Sequence, residues 1–177
     1  MVRYPRSLKC RNGKVVAVRP LRSDDLFPLL EFFGSLPEED RLHLRVDVTQ
    51  RDIVERRMNP PARWNVLRLV ALAGERIVAE GSIEHRTFGL GSHVGEVRVI
   101  VAPDFRRTGL AEFLCRQILA HGIAEDLEKI EVHLMSDQPA VIHFFEELDF
   151  KEDGTLKGFV KDTKGKNHDL LIMSLRT

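Results

Sequence analysis

The stretch Val99-Ile100-Val101-Ala102-Pro103-Asp104-Phe105-Arg106-Arg107-Thr108-Gly109-Leu110-Ala111 decides how the rest of the chain is interpreted. It predicts a strand, a short turn and then directly a helix, with Arg106, Gly109 and Ala111 at the spacing R-x-x-G-x-A. The start of such a helix presents unpaired backbone N–H groups and the positive end of the helix dipole. Gly109 lets a ligand approach the backbone closely, and the arginines add positive charge. The stretch therefore predicts a pyrophosphate cradle.

A second interpretation stays open on these residues alone. An ordinarily capped helix with two exposed arginines, Arg106 and Arg107, would show the same letters. Two familiar phosphate motifs are excluded, because no G-K-[S/T] follows and the first glycine of the dinucleotide fingerprint is missing. The order of the surrounding strands and helices is needed to choose between a pyrophosphate cradle and an ordinarily capped helix.

Hydrophobic periodicity divides the remaining chain into strands and helices. Strands are predicted at 15–19, 65–73, 76–84, 94–102, 130–135, 156–160 and 169–175, and helices after Ser23, from Pro37, and at 50–58, 110–124 and 140–148. The strand–helix–strand unit over 94–135 predicts a right-handed parallel crossover. Turn signals at 73–75 and 164–167 predict antiparallel hairpins. The fold class is α+β: a central mixed sheet of six to seven strands, flanked by helices, around a parallel β-α-β core.

Composition narrows the function classes. The 177 residues contain 27 Lys+Arg and 27 Asp+Glu, so the net charge is zero, which argues against a nucleic-acid partner. The two cysteines form neither a disulfide framework nor a zinc motif. Residues 1–14 are polar and basic, unlike a signal peptide, and no apolar run reaches the ~20 residues that span a bilayer. We expect a soluble, cytoplasmic protein with no membrane partner.

The chain resembles a known family. The strand 96–101, the turn 102–105 and the R-x-x-G-x-A loop are similar to the acetyl-CoA site of the GNAT superfamily of N-acyltransferases. The segment 138–150 resembles the last core helix of that superfamily, and 15–25 resembles its opening strand and helix. The likeness implies one N-acetyltransferase domain at 15–177, after an N-terminal extension at 1–14.

A narrower likeness concerns Phe32–Arg45, which resembles the acetyltransferase module of bacterial protein-lysine acetyltransferases. It implies a protein lysine as one candidate acceptor.

The superfamily resemblance also implies where acetyl-CoA, the co-substrate, binds. Its pantetheine arm would lie in a gap between the strands at 94–102 and 130–135, which splay apart at their carboxyl ends. No metal is expected. The residues implied in binding are Val99, Ile100, Val101, Arg106, Arg107, Thr108, Gly109, Leu110, Ala111 and Gln138.

Three positions depart from the superfamily pattern. Phe145 stands where a tyrosine is usual near the departing sulfur, and Tyr4 is the only tyrosine. Asp149 replaces a usual glycine, although Asp tolerates left-handed backbone better than most residues. Gln138 stands near a usual asparagine.

Glu96 is the candidate catalytic residue. Alternation places it with Arg98 on one face of its strand, so a salt bridge between them competes with a role in deprotonating the attacking amine. His93 and His133 lie where strand ends approach the cleft and are interpreted as surface or hydrogen-bonding residues, with His93 as the next candidate base. Cys115 is interpreted as core.

The leading hypothesis is an acyl-CoA-dependent N-acyltransferase that moves acetyl directly to a primary amine within a ternary complex. The acceptor is a small-molecule amine or a protein lysine. The alternative is a non-catalytic acyl-CoA-binding regulatory module of the same fold, which the missing tyrosine at Phe145 favours. A homodimer is an additional expectation, because the C-terminal hairpin can pair with a second copy.

Overall fold

The computed structural model describes residues 4–44, 46–162 and 164–177. These residues form one eight-stranded sheet in the order β1-β2-β3-β4-β5-β6-β8-β7. Strands β5 and β6 are parallel, and all other neighbouring pairs are antiparallel. The strands are β1 (Arg6–Lys9), β2 (Val15–Pro20), β3 (Trp64–Ala73), β4 (Arg76–Arg86), β5 (Val94–Val101), β6 (Lys129–Met135), β7 (Lys151–Lys161) and β8 (Asn167–Arg176).

Five α-helices connect and cover the sheet within the described part of the chain. They are α1 (Leu26–Ser35), α2 (Glu38–Leu42), α3 (Arg51–Met58), α4 (Leu110–Ala124) and α5 (Pro139–Glu146). The mixed sheet and the parallel crossover from β5 through α4 to β6 confirm the predicted fold class. None of these helices is long and apolar enough to cross a membrane.

The sheet has one strand more than the six to seven predicted. The additional strand is β1, which lies within the predicted N-terminal extension and pairs with β2 from Arg6↔Val18 to Lys9↔Val15. Four mostly exposed residues give no apolar alternation, so periodicity could not find this strand. Residues 1–3 of that segment, and Arg45 at the end of the lysine-acetyltransferase-like segment, lie outside the described residues.

Helix α4 is held close against one face of the sheet. The side chains of Leu110, Leu114 and Ile118 are fully buried. Burial of each one stabilises the folded protein by about 1.5–3 kcal/mol. The Ile118 side chain packs directly on Gly81 of β4, where a Cβ atom would lie only 2.7 Å from Ile118 Cδ1. This packing fixes the first turn of α4 beside the carboxyl end of β5.

The opposite face carries α1 and α3 and a buried ionic cluster. Glu80 of β4 accepts hydrogen bonds from Arg68 Nη1 at 3.0 Å and from Arg57 Nη2 at 3.1 Å. Arg68 also donates to Glu84 at 2.6 Å. Burial alone would raise the pKa of Glu80, but the two arginines hold that pKa below its usual range. The cluster joins α3, β3 and β4 across this face.

The helix predicted after Ser23 is present, with an irregular start. Ser23 makes no helix cap; instead residues 23–25 form a 3-10 turn before α1. Asp25 is the residue that anchors the turn, because its carboxylate accepts from the Arg22 N–H at 2.7 Å and from both terminal nitrogens of Arg19. The carboxylate of buried Asp25 thus joins this turn to Arg19 of β2.

Candidate active site

The parallel strands β5 and β6 separate part of the way along. They pair only at Val94↔Lys129, Gly95↔Ile130 and Glu96↔Glu131. Beyond Glu96, β5 follows β4 and β6 follows β8 to their ends. Within the described strands, the two facing edges past this point have no strand partner, so their backbone groups are available to a ligand. The predicted splay is present.

A cavity of about 860 Å³ opens beside the split, on the side covered by α4 and α5. Its size falls in the range of sites that bind small molecules and cofactors, about 300–1,000 Å³. Strand β5, the loop before α4 and helix α5 all contribute to its wall, through Val99, Val101, Arg106, Arg107, Gly109 and Phe145 among others.

The first turn of α4 faces this cavity without a cap. Gly109 occupies the N-cap position at φ 87°, and no side chain among the described residues caps the first amides of the helix. The first intrahelical bond runs from the Phe113 N–H to the Gly109 carbonyl at 3.0 Å. A Cβ atom on Gly109 would meet nothing closer than Arg11 Nε, at 3.9 Å. Open amides, the helix dipole and nearby cations together fit a pyrophosphate.

Four of the predicted binding residues do not line the cavity with their side chains. Leu110 is fully buried in the core, and Ile100 shares the opposite face with Glu80. Thr108 Oγ1 donates to the Phe105 carbonyl at 2.6 Å, which braces the loop. Gln138 Oε1 accepts from the Met135 N–H at 3.3 Å and holds the turn after β6. The side chains of these residues therefore support the elements around the cavity without lining it.

The predicted arginines differ in what they contact. Arg106 donates to the Val101 carbonyl at 3.2 Å and to Asp40 of α2 at 2.5 Å, so it ties the loop to that helix. Arg107 lines the cavity at φ 57°, and its guanidinium makes no ion pair with any residue that the structure describes.

Arg11 is a cavity residue that sequence reasoning missed. It lies in the turn between β1 and β2, and its N–H donates to the Thr108 carbonyl at 3.0 Å. This bond fastens the turn to the loop before α4. The dipeptide Asn12-Gly13 is a hairpin signal that could have identified the turn.

A row of carboxylates lies next to the split on the opposite face of the sheet from the cavity. Glu84, Glu96 and Glu131 are register partners on β4, β5 and β6, so they share one face of the sheet. Glu96 Oε1 accepts from Arg98 Nε at 3.1 Å, which confirms that alternation places these two residues together. Burial alone would lower the pKa of Arg98, but Glu96 and other carboxylates raise it.

Phe145 of α5 is buried and lines the cavity. Its ring contacts Phe144 and Phe150 edge to face, each with a centroid distance of 5.1 Å. Tyr4 lies outside the cavity, and its buried hydroxyl has no hydrogen-bond partner among the described residues. The cavity wall formed by the described residues therefore contains no phenol.

The remaining candidates have other surroundings. Cys115 is buried in α4, and burial together with nearby Glu112 raises its pKa to about 12. In the part of the chain that the structure describes, no group of three or more His, Cys, Asp or Glu side chains could hold a metal ion.

Comparisons with known proteins agree with this geometry. The model of the acetyltransferase (GNAT) family matches residues 26–150. A spermidine N(1)-acetyltransferase from Vibrio cholerae is 28% identical over 127 residues, which are 71% of this chain and 63% of that protein. The chain thus aligns with less than two thirds of that relative's length.

Two solved structures illustrate the shared fold. The GNAT domain of S. lividans PAT superposes with a TM-score of 0.77 at 16% identity, over 98% of this chain and 97% of its own. A spermidine N-acetyltransferase from Vibrio cholerae, solved with CoA and spermine, gives a TM-score of 0.74 at 19% identity, over 91% of this chain and 95% of its own. At these identities the likeness shows the fold alone.

Proposed function

Since the chain belongs to the GNAT acetyltransferase family, we propose that it transfers an acetyl group from acetyl-CoA directly to a primary amine in a ternary complex. The observation that carries the proposal is the split between β5 and β6, which opens into a cavity beside the uncapped start of α4. Acetyl-CoA would supply an activated thioester. The residues of this chain would bind and orient acetyl-CoA and remove a proton from the acceptor amine.

The fit of the cofactor follows from the groups on the cavity wall. The pyrophosphate would take the open amides between Arg107 and Glu112, where the helix dipole favours negative charge. Arg11 and Arg107 would add charge–charge attraction at the same end. The edge of β5 from Val97 to Val101 would hydrogen-bond the pantetheine arm, because β6 has left that edge.

Glu96 is the proposed general base. It stands at the last paired position before the strands separate, with Arg98 holding its carboxylate. An ammonium must lose a proton before it can attack a thioester. We expect Glu96→Gln to keep the shape of the site and acetyl-CoA binding, and to lower turnover by ~10²–10⁴-fold. Wild-type turnover in this variant would move the role elsewhere.

No dedicated acid is needed for the leaving group. Free thiols have a pKa near ~8.5, so a CoA thiolate departs without a proton donor. Phe145 cannot donate, and the sulfur takes its proton after departure. We expect activity to rise toward higher pH as a consequence.

The acceptor is proposed as a small-molecule amine or a protein lysine. The carboxylates of Glu96 and Glu131, on the acceptor side of the split, support binding of an ammonium group. The curated relative is named for spermidine, which supports polyamines as the first acceptors to test. The exposed strand β7, at the edge of the sheet, supports a homodimer as a further proposal.

One observation favours a second function. Because no phenol lines the cavity wall described above, the protein could act as an acyl-CoA-binding regulatory module. The two functions are separated by following release of CoA thiol while acetyl-CoA is incubated with diamines, polyamines, amino acids and lysine peptides. Amine-dependent thiol release, with an acetylated product by mass spectrometry, supports the enzyme. Binding of acetyl-CoA without product over the whole panel supports the module.

A further inference from the structure

His133 lies beside the split, on the same face as Glu96. It belongs to β6, two residues beyond Glu131, and only 17% of its side chain is exposed. Its Nε2 lies 2.8 Å from Glu131 Oε1. An ionised carboxylate only accepts hydrogen bonds, so Nε2 must carry the proton in this contact. In the neutral ring, Nδ1 is therefore the atom with a lone pair.

A second hydrogen-bond acceptor, Glu96 Oε1, lies near Nδ1 of His133. Nδ1 lies 4.0 Å from Glu96 Oε1, which is too far for a direct hydrogen bond. One nitrogen placed about 2.9 Å from both atoms would see them at an angle of about 90°. The N–H bonds of a tetrahedral ammonium spread by about 109°, and two hydrogen bonds can absorb the difference of about 20°. The pair has the spacing of a two-point ammonium site.

We propose that His133 is a catalytic residue that binds the acceptor ammonium together with Glu96, the proposed general base. Nδ1 of His133 takes one of the two protons that the ammonium loses, and Glu131 is the positioning residue that fixes the ring. This inference rests on the proposed acetyl transfer. The amine nitrogen forms the C–N bond to the acetyl carbon as the C–S bond breaks. Glu96 takes one of the two protons that the ammonium loses and Nδ1 of His133 takes the other; one of these protons then passes to solvent and one ends on the CoA sulfur.

The surroundings suit this role. The charged groups that face His133 among the described residues are Glu131 on its own strand, Glu96 and Arg98 on β5, and Glu84 next to Glu96 on β4. On its other side β8 presents the apolar Ile172. The ring thus lies beside carboxylates of two strands, and an imidazole nitrogen with a lone pair can accept a proton and pass it on.

The test compares the wild type with His133→Gln, Glu131→Gln and a matched control, His121→Gln, on the far end of α4. We expect His133→Gln to lower kcat by ~10²–10⁴-fold at pH 7 and to recover as pH approaches the pKa of the amine. Glu131→Gln should lower kcat less and shift the rising limb of the pH profile. All three variants should keep the thermal shift with acetyl-CoA.

A second readout needs no activity. Nitrogen NMR of the imidazole ring in the wild-type protein should show the proton of the neutral His133 ring on Nε2. A proton on Nδ1 contradicts the proposal, even if the variants fail to fold.

The possible failures are distinguishable. If the wild type binds acetyl-CoA but acetylates no amine, the proposed function is wrong. If the wild type is active and His133→Gln matches its kcat and pH profile, acetyl transfer stands and the role of His133 is overturned.

Discussion

A charge placed at Gly109 should block the cofactor without unfolding the protein. Gly109 adopts φ 87°, and asparagine and aspartate tolerate this backbone better than other residues. A side chain there has room, since its Cβ atom would meet nothing closer than Arg11 Nε at 3.9 Å. Gly109→Asp and Gly109→Asn are therefore a matched pair of nearly equal shape that differs in one negative charge.

The size of the effect follows from the site. A carboxylate about 5 Å from a phosphate charge repels it by about 3 kcal/mol at an effective dielectric of ~20, a factor of more than ~100 in affinity. At 100 times the wild-type Kd, acetyl-CoA stabilises the native state by about 2.7 kcal/mol, which raises Tm by about 5–10 °C in a chain of this size. A 100-fold weaker Kd reduces that shift to about 1 °C.

The assay is thermal unfolding of the wild type and both variants, with and without acetyl-CoA. We expect similar Tm values for the two free variants, both below that of the wild type, because a side chain at φ 87° carries the same backbone strain in each. With acetyl-CoA, the shift should be almost lost in Gly109→Asp and largely kept in Gly109→Asn. An undiminished shift in Gly109→Asp would refute the assignment of the cradle to the start of α4.

Three further predictions follow from buried groups. Glu80→Gln should lower the free energy of unfolding by about 3–5 kcal/mol in urea titrations, because Arg57 loses its carboxylate partner and Arg68 keeps only Glu84. The Glu80 carboxylate, whose pKa is held low in the folded state, stabilises the protein above the ordinary glutamate pKa. That contribution is lost as pH falls, so the variant should show a flatter acid limb. Cys115, with its pKa near 12, should resist thiol reagents at pH 8 until the protein unfolds. Above the ordinary thiol pKa the wild type should lose stability relative to Cys115→Ala, by about 1.4 kcal/mol per pH unit. Phe145→Tyr should keep its ring contacts and raise kcat where the phenol stays protonated. No gain, with the hydroxyl beside the sulfur in a structure, would mean that thiolate protonation does not limit turnover.

The parts of the site that sequence reasoning found are local in the chain. The strand before Ala102, the loop at 103–109 and the helix from Leu110 follow one another directly, so alternation, a turn and a helical stripe identify them. The pairing of Glu96 with Arg98 is predictable from the sequence for the same reason, since residues two apart on a strand share a face.

The parts that it missed depend on contacts between distant segments. Arg11 reaches the cavity because β1 pairs with β2, and the four mostly exposed residues of β1 show no apolar alternation that would predict a strand. The neighbours of His133 depend on the register of β5 against β6, which no local pattern specifies. Predictions from the loop motif also did not separate residues that line the cavity from Thr108, whose side chain turns inward to a carbonyl.

A crystal structure of the protein with acetyl-CoA tests the central claim most directly. We expect the pyrophosphate on the amides at the start of α4, within reach of Arg11 and Arg107, and the pantetheine arm along the edge of β5 where β6 has separated. The thioester should then lie between Phe145 on one side of the sheet and Glu96 with His133 on the other. A cofactor bound away from the split between β5 and β6, with the amides after Gly109 still open, would contradict the account.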